Sequence, residues 1–150
     1  MSRQAEKNIR HLTLPELESF FDEMGEKKFR AKQVYEWLWL KHATSFADMT
    51  NLGKDLRQQL GEHFTLPALA IDVVQHSTDG TIKTRFRTHD GHLVEGVMIP
   101  TTSRFTACVS SQVGCSLSCK FCATGYIDRK RNLGFDEIYD QEPVINLQCE

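Results

Sequence analysis

The sequence predicts an α+β protein in which a small helical domain is followed by a β-meander and then by the start of an α/β segment. Apolar residues recur at helical spacing over residues 1–66, and the apolar period changes to two over residues 70–100. Both Asp-Gly pairs also fall between alternating runs, a pattern typical of β-hairpins. We therefore expect three regions, at residues 1–66, 67–104 and 105–150.

The first region contains three predicted helices. Thr13 and Glu16 stand at the N-cap and N3 positions of a capping box, and Gly25 suits the end of the helix that follows. Further helices are predicted over residues 30–41 and 51–62. Their apolar stripes indicate a small buried core more than a surface for binding a partner.

The second region is predicted to be a three-stranded meander. Strands over residues 82–87 and 93–99 flank the turn at Asp90, and a strand before the turn at Asp79 completes the set. Residues 105–110 are predicted as a further strand that leads into a loop with a single helical turn. A helix should start at Phe135, but Pro143 is expected to interrupt it within two turns because proline lacks the backbone N–H.

Composition and charge exclude several classes of protein. Eighteen basic and 20 acidic residues among 150 leave a net charge of −2, which gives no general sign of nucleic-acid binding. Only residues 107–133 are locally basic. No stretch approaches the roughly 18 apolar residues of a membrane span. The first residues also lack the apolar centre of a secretory signal, so we expect a cytoplasmic protein.

The cysteines are the most informative feature of the chain. Their odd number and their clustering point to a metal or redox centre in a cytosolic protein; the five are Cys108, Cys115, Cys119, Cys122 and Cys149. Thiolates are soft ligands that suit iron–sulfur clusters, zinc or copper. Structural zinc normally takes four ligands, whereas a cubane [4Fe–4S] cluster held by three leaves one iron open to a small molecule. Zinc with Cys108, Cys149 or a histidine as fourth ligand, and a local disulfide, are the alternatives.

The motif Cys115-x3-Cys119-x2-Cys122, with Phe121 before its last cysteine, resembles the radical S-adenosylmethionine signature. The surrounding sequence extends this resemblance through Val94-Glu95, Met98-Ile99-Pro100, Cys108-Val-Ser-Ser-Gln-Val-Gly, Arg129-Lys-Arg-Asn-Leu and residues 29–37. Together they resemble the RlmN family of dual-specificity RNA methyltransferases, which methylate C2 of an adenine in 23S ribosomal RNA and in tRNA. The resemblance covers about residues 10–141.

The resemblance implies a role for each matching residue. Cys115, Cys119 and Cys122 would hold a [4Fe–4S] cluster whose open iron chelates S-adenosylmethionine, and an electron donor such as a flavodoxin would supply the electron that yields a 5′-deoxyadenosyl radical. Phe121 would approach the adenine of the cofactor, with loop packing as its alternative. Glu95 would accept a proton from the adenine ring of the RNA. Its alternative is a solvated surface residue, which is the more common situation for an isolated glutamate on a strand.

Cys108 matches the family cysteine that resolves a protein–RNA adduct through a transient disulfide, and its alternative is a buried strand cysteine. The run Arg129-Lys130-Arg131 is expected to contact phosphate, and the helical region with Trp37 and Lys41 to read RNA shape. A solvated charged surface is the alternative for both.

The chain also departs from the family in length. A radical S-adenosylmethionine core resembles a six-unit β/α barrel of ~180 residues, whereas about 45 residues follow Phe105. The later Gly-Glu segment and the methyl-carrying cysteine are missing, and the position of Cys149 does not match that cysteine. We therefore expect an N-terminal portion that starts a partial barrel, holds iron and sulfide, and does not methylate RNA alone. A C8 adenine methyltransferase relative and a non-catalytic zinc or RNA-binding module are the alternative functions.

Overall fold

The computed structural model describes residues 7–147, which form α-helices, one short parallel strand pair and two antiparallel sheets. The α-helices of this part of the chain are α1 (Leu14–Glu23), α2 (Phe29–Trp39), α3 (Lys54–His63) and α4 (Phe135–Leu147). The strands are β1 (Lys7–Asn8), β2 (Phe64–Thr65), β3 (Ala70–His76), β4 (Ile82–Arg87), β5 (Leu93–Pro100), β6 (Phe105–Cys108), β7 (Gln112–Val113) and β8 (Arg131–Asn132). Within these residues, every helix is too short or too polar to cross a membrane. The chain divides into two compact units between Pro67 and Ala68.

The first unit is built around a helical core, as the apolar stripes predict. Its buried side chains come from all three helices and include Leu17, Phe21, Ala31, Val34, Leu38, Leu56 and Leu60. The predicted capping box is confirmed, since the Glu16 carboxylate accepts a hydrogen bond from the backbone N–H of Thr13 at 2.7 Å. The third helix begins at Lys54, later than predicted, because the backbone of Gly53 is still extended. The sequence did not predict the short parallel pairing of β1 with β2.

The second unit contains a four-stranded antiparallel sheet in the order β3-β4-β5-β6. Both predicted hairpins are present, with Asp79 and Asp90 in the turns. The meander has a fourth strand because β6 pairs with β5 and places Cys108 opposite Val97. Residues on the two sides of the expected boundary at position 104 therefore share one sheet, and the assignment of separate roles to these regions stays a prediction.

The two faces of this sheet have different surroundings. Phe86 and Val94 are buried on the face that packs against α4. Gly96 lies on this face, and an added Cβ there would stand 2.8 Å from Cδ1 of Ile145 in α4. Side chains on the opposite face, which we call the open face, alternate with the buried ones and belong to Lys83, Arg85, Arg87, Glu95 and Val97.

The prediction that Pro143 interrupts the last helix within two turns is wrong, because α4 continues through Pro143 to Leu147. Proline removes one backbone hydrogen bond and strains the preceding turn. The same helix buries Gln141 and Ile145 completely. Burial of this face offsets the local cost of the proline, and a sequence pattern cannot show that balance.

Candidate active site

The three motif cysteines lie between β7 and β8, in a segment of residues 114–130 that we call the cysteine loop. The antiparallel pairing of Val113 with Arg131 closes the base of this loop. Further in, the backbone N–H of Lys130 donates to the carbonyl of Val113 at 2.9 Å, and that of Cys115 donates to the carbonyl of Ile127 at 3.0 Å. The sequence predicted a loop with one helical turn, which is the 3-10 helix Ala123–Tyr126, but not the strand pair that closes it.

Two glycines permit the close approach of the two sides of the cysteine loop. Gly114 has a φ of 74°, and a Cβ there would lie 2.2 Å from the carbonyl oxygen of Asp128. At Gly125, a Cβ would lie 2.5 Å from the carbonyl oxygen of Cys119. The loop can therefore fold tightly around Cys119 only with glycine at both positions.

The thiols of the loop are available to a metal. Cys115, Cys119 and Cys122 are free and partly exposed, and Cys108 is free and exposed. The alternative of a local disulfide is therefore not realised among these four residues, whereas Cys149 lies outside the described residues. Three soft sulfur ligands on one closed loop are a donor set that fits either an iron–sulfur cluster or zinc.

Glu95 lies on the open face, opposite Arg85 in the register of β4 and β5. Its carboxylate is half-exposed, and its Oε1 lies 3.3 Å from Nζ of Lys83. Glu95 also lines a cavity of about 220 Å³, to which Thr124 and Ile127 of the cysteine loop contribute. The structure thus brings the predicted proton acceptor beside the loop that carries the predicted metal ligands.

Cys108 shares the open face with Glu95. Cys108 pairs with Val97, and directly opposed residues of antiparallel strands project to the same side. Val97 and Glu95 are two residues apart on β5 and therefore project to the same side as well. The register brings together two candidate residues that the sequence could only place on separate strands.

Sequence reasoning missed the polar contacts that hold the segment between Cys108 and the cysteine loop. The hydroxyl of Ser110 donates to the carbonyl oxygen of Glu95 at 2.6 Å. The side-chain amide of Gln141, which is fully buried, accepts from the N–H of Ser110 at 2.8 Å and donates to its carbonyl at 2.9 Å. These bonds tie the segment to β5 and α4. A glutamine in a helix of unknown orientation gives no signal of such a contact.

Arg131 is paired with acidic side chains in the structure. Its guanidinium donates to both Asp90 and Glu137, with distances of 2.7–2.8 Å, and its side chain is mostly buried. Its guanidinium is therefore engaged by carboxylates within the chain, and the expected contact with phosphate stays a prediction. The guanidinium lowers the pKa of Asp90 and of Glu137 below their usual values, chiefly through these hydrogen bonds. His89 also approaches these carboxylates, with its Nδ1 3.6 Å from Oε1 of Glu137.

Phe121 lies between the second and third motif cysteines, and its side chain is 94% exposed. Loop packing, the alternative explanation for an aromatic residue here, therefore does not account for it. In the first unit, Nζ of Lys41 lies 4.3 Å from the ring centre of Trp37, whose indole N–H donates to Asn51 at 2.6 Å. A role for these two residues in binding RNA stays a prediction.

Comparisons with known proteins agree with the sequence motifs. Residues 7–66 match the family model described as the ribosomal RNA large subunit methyltransferase N-terminal domain. A probable dual-specificity RNA methyltransferase RlmN of Cytophaga hutchinsonii is 58% identical over 96% of this chain and 40% of the relative. The RlmN of Geotalea uraniireducens is 46% identical over 93% of this chain and 43% of the relative.

A solved structure is also similar to this chain. It is the crystal structure of a radical SAM methyltransferase from Sphaerobacter thermophilus, with 38% identity and a TM-score of 0.80. The match covers 95% of this chain and 42% of the other. The chain thus spans about two fifths of the length of the relatives that it matches.

Proposed function

We propose that this chain is part of an RlmN-type RNA methyltransferase, because residues 7–66 match that family's N-terminal domain and a relative of that name is 58% identical. In this proposal the chain supplies the cluster-binding loop and the proton acceptor of a radical S-adenosylmethionine enzyme. That enzyme methylates C2 of adenine in ribosomal RNA and tRNA. The observation that carries the proposal is the position of Glu95 and Cys108 on one face of the sheet, with Glu95 in a cavity that the cysteine loop also lines.

Cys115, Cys119 and Cys122 are the proposed ligands of a [4Fe–4S] cluster. Three free thiols on a loop closed at its base fit this group. When bound, the cluster provides an open iron for S-adenosylmethionine and the electron for its reductive cleavage. The exposed ring of Phe121 is available to stack against the adenine of that cofactor.

Glu95 is the proposed proton acceptor for the adenine ring of the RNA. A general base must stand within hydrogen-bond reach of the proton that it removes, and the carboxylate of Glu95 is half-exposed on the open face. Cys108 is the proposed thiol that resolves the protein–RNA adduct, a role that requires exposure on the same face. Ser110 and Gln141 fix the backbone between these residues and the cysteine loop.

Substrate RNA is proposed to approach this open face. A flavodoxin-type electron donor is proposed to approach the cysteine loop. Arg129 and Lys130 are exposed candidates for phosphate contacts, whereas the guanidinium of Arg131 is paired with Asp90 and Glu137. The action takes place in the cytoplasm under this proposal. None of the described cysteines is proposed to carry the methyl group, so a test on this chain should measure cluster assembly and not methyl transfer.

Anaerobic reconstitution of the 150-residue chain with iron and sulfide tests the proposal. We expect about four irons and four sulfides per chain, with the electron paramagnetic resonance signal of a reduced [4Fe–4S] cluster that changes on addition of S-adenosylmethionine. Cys119→Ala should lose the cluster, and Cys108→Ala, the matched control, should retain it. One zinc per chain would instead support the zinc-stabilised module. The C8 alternative is separated by mapping the methyl group on RNA treated with a full-length relative.

A further inference from the structure

Arg85 is the residue directly opposite Glu95 across β4 and β5, yet its guanidinium is bonded elsewhere. Nε and Nη2 of Arg85 each lie 2.7 Å from Oδ2 of Asp72 on β3. The contact of Glu95 is instead with Lys83, at 3.3 Å from a position two residues earlier on β4. The cation nearest to Glu95 in register is therefore turned towards the other neighbouring strand.

Asp72 is well placed to hold Arg85 in this orientation. It also accepts a hydrogen bond from Arg87, and its side chain is only 14% exposed, whereas the two arginines are about half-exposed. The two guanidinium groups lower the pKa of Asp72, that of Arg87 most strongly, so Asp72 stays negatively charged. Two arginines thus converge on one carboxylate, which leaves Lys83 as the partner of Glu95.

This arrangement matters because arginine and lysine act differently on a carboxylate. The planar guanidinium forms two parallel hydrogen bonds and engages both oxygens, whereas the ammonium is a single, strongly hydrated point charge. A carboxylate clamped by arginine is a poor proton acceptor, since its oxygens are occupied and its charged form is strongly favoured. A carboxylate beside lysine keeps one oxygen open to a substrate.

We infer that Asp72 is a positioning residue for Glu95: it holds Arg85 away from the Glu95 carboxylate and thereby preserves a lone pair that can accept a proton. The inference rests on the proposed function for the role of Glu95, but the arrangement itself exists without RNA or cofactor. Among the described residues, the charged or titratable groups beside Glu95 on the open face are Lys83 and Arg85 from β4 and Cys108 from β6. Asp72 of β3 lies behind Arg85, to which it is bonded.

Titration of the 150-residue chain by carbon-13 NMR tests the inference. The side-chain carboxyl signal of Glu95 is identified by its loss in Glu95→Gln, and the pH midpoint of its titration is then measured in each variant. In Asp72→Asn, Arg85 is released to pair with Glu95, and the midpoint should fall by about one pH unit. Loss of the negative charge of Asp72 would by itself also lower the titration midpoint of Glu95. The same substitution must therefore be measured in a variant that lacks the guanidinium of Arg85.

Arg85→Met provides that background. When Arg85 is already methionine, Asp72→Asn should lower the midpoint only by the smaller, direct effect of the lost charge. When Arg87, opposite Leu93, is methionine, Asp72→Asn should lower the midpoint by nearly the full amount. An equal fall in the Arg85→Met background, or no fall in Asp72→Asn alone, would overturn the inference. If Asp72→Asn does not fold, the single variant Arg85→Met tests the inference. A large rise of the Glu95 midpoint in that variant would show that Arg85 already pairs with Glu95 and would overturn the inference, whereas a small change would support it. Failure of the methyltransferase proposal appears in the iron content and leaves these midpoints unaffected.

Discussion

Glu95 and Cys108 project from the same face of the sheet, because Cys108 is paired with Val97, two residues along β5 from Glu95. The alternation of side chains in β-strands makes this relationship depend on register alone. A shift of β6 by one residue would place the thiol under α4 and away from the carboxylate. The hydrogen bonds of Ser110 to Glu95 and to Gln141 hold the chain in this register just after β6 ends.

Gly96→Ala should destabilise the second unit. Its Cβ would lie 2.8 Å from Cδ1 of Ile145 and 3.1 Å from the ring of Phe86, and overpacking of this kind costs about 1–3 kcal/mol of unfolding free energy. Removal of Cδ1 in Gly96→Ala/Ile145→Val should recover part of the loss. Gly61→Ala in α3 is the matched control, since its Cβ meets nothing closer than 3.8 Å. It should be stabilising by about 0.5–1 kcal/mol. Urea unfolding measures all three variants.

Arg131→Met should reduce the unfolding free energy at pH 7 by about 2 kcal/mol, because two carboxylates lose a largely buried partner. The folded-state pKa values of Asp90 and Glu137 lie below their unfolded values. Their stabilising contribution is therefore present above about pH 4 and is lost as pH falls through the folded values. The difference between wild type and variant should shrink from pH 5 to pH 2. The exposed Arg129→Met serves as control, and a difference independent of pH would contradict this account.

Gly125→Ala should prevent cluster assembly while the sheet stays folded. The added Cβ would lie 2.5 Å from the carbonyl oxygen and 2.8 Å from the nitrogen of Cys119, so the backbone of this proposed ligand must move. We expect a large loss of bound iron in the reconstitution assay, with near-unchanged circular dichroism. Thr124→Ala, in the same turn but exposed, should keep its iron. Full iron binding by Gly125→Ala would show that the loop around Cys119 is not held as described.

Phe121→Ala should weaken the binding of S-adenosylmethionine without changing the stability of the fold. The ring is 94% exposed, so its removal should leave the urea midpoint unchanged. If the ring stacks on the adenine of S-adenosylmethionine, its loss should weaken binding by about 1 kcal/mol or more, which is a several-fold rise in Kd. Isothermal titration of the reconstituted chain measures this change. Leu117→Ala, which is also exposed on the loop, is the control. Equal affinity of the two variants for S-adenosylmethionine would show that Phe121 does not contact this cofactor.

Much of the local structure could be read from the sequence. The capping box at Thr13, the hairpins at Asp79 and Asp90 and the cysteine motif each depend on residues close together in the chain. The pairing of Arg131 could not be predicted in this way, because its partner Asp90 lies 41 positions away in the sequence. The continuation of α4 through Pro143 depends likewise on burial against a distant sheet.

The alternation of Lys83, Arg85 and Arg87 with Thr84 and Phe86 was a usable signal for an exposed basic face. This alternation could not show which carboxylate each cation would contact, since Asp72 and Glu95 lie on the two different strands that flank β4.

The amino-acid sequence alone determined which chemical groups this protein carries and their spacing in each motif, because ligand type and turn chemistry are properties of neighbouring residues. Only the tertiary structure decided which of them share a face, which cation pairs with which carboxylate and which proline a helix tolerates. Strand register and packing between distant segments set those distances, and electrostatic and steric energies depend on distance in space rather than along the chain.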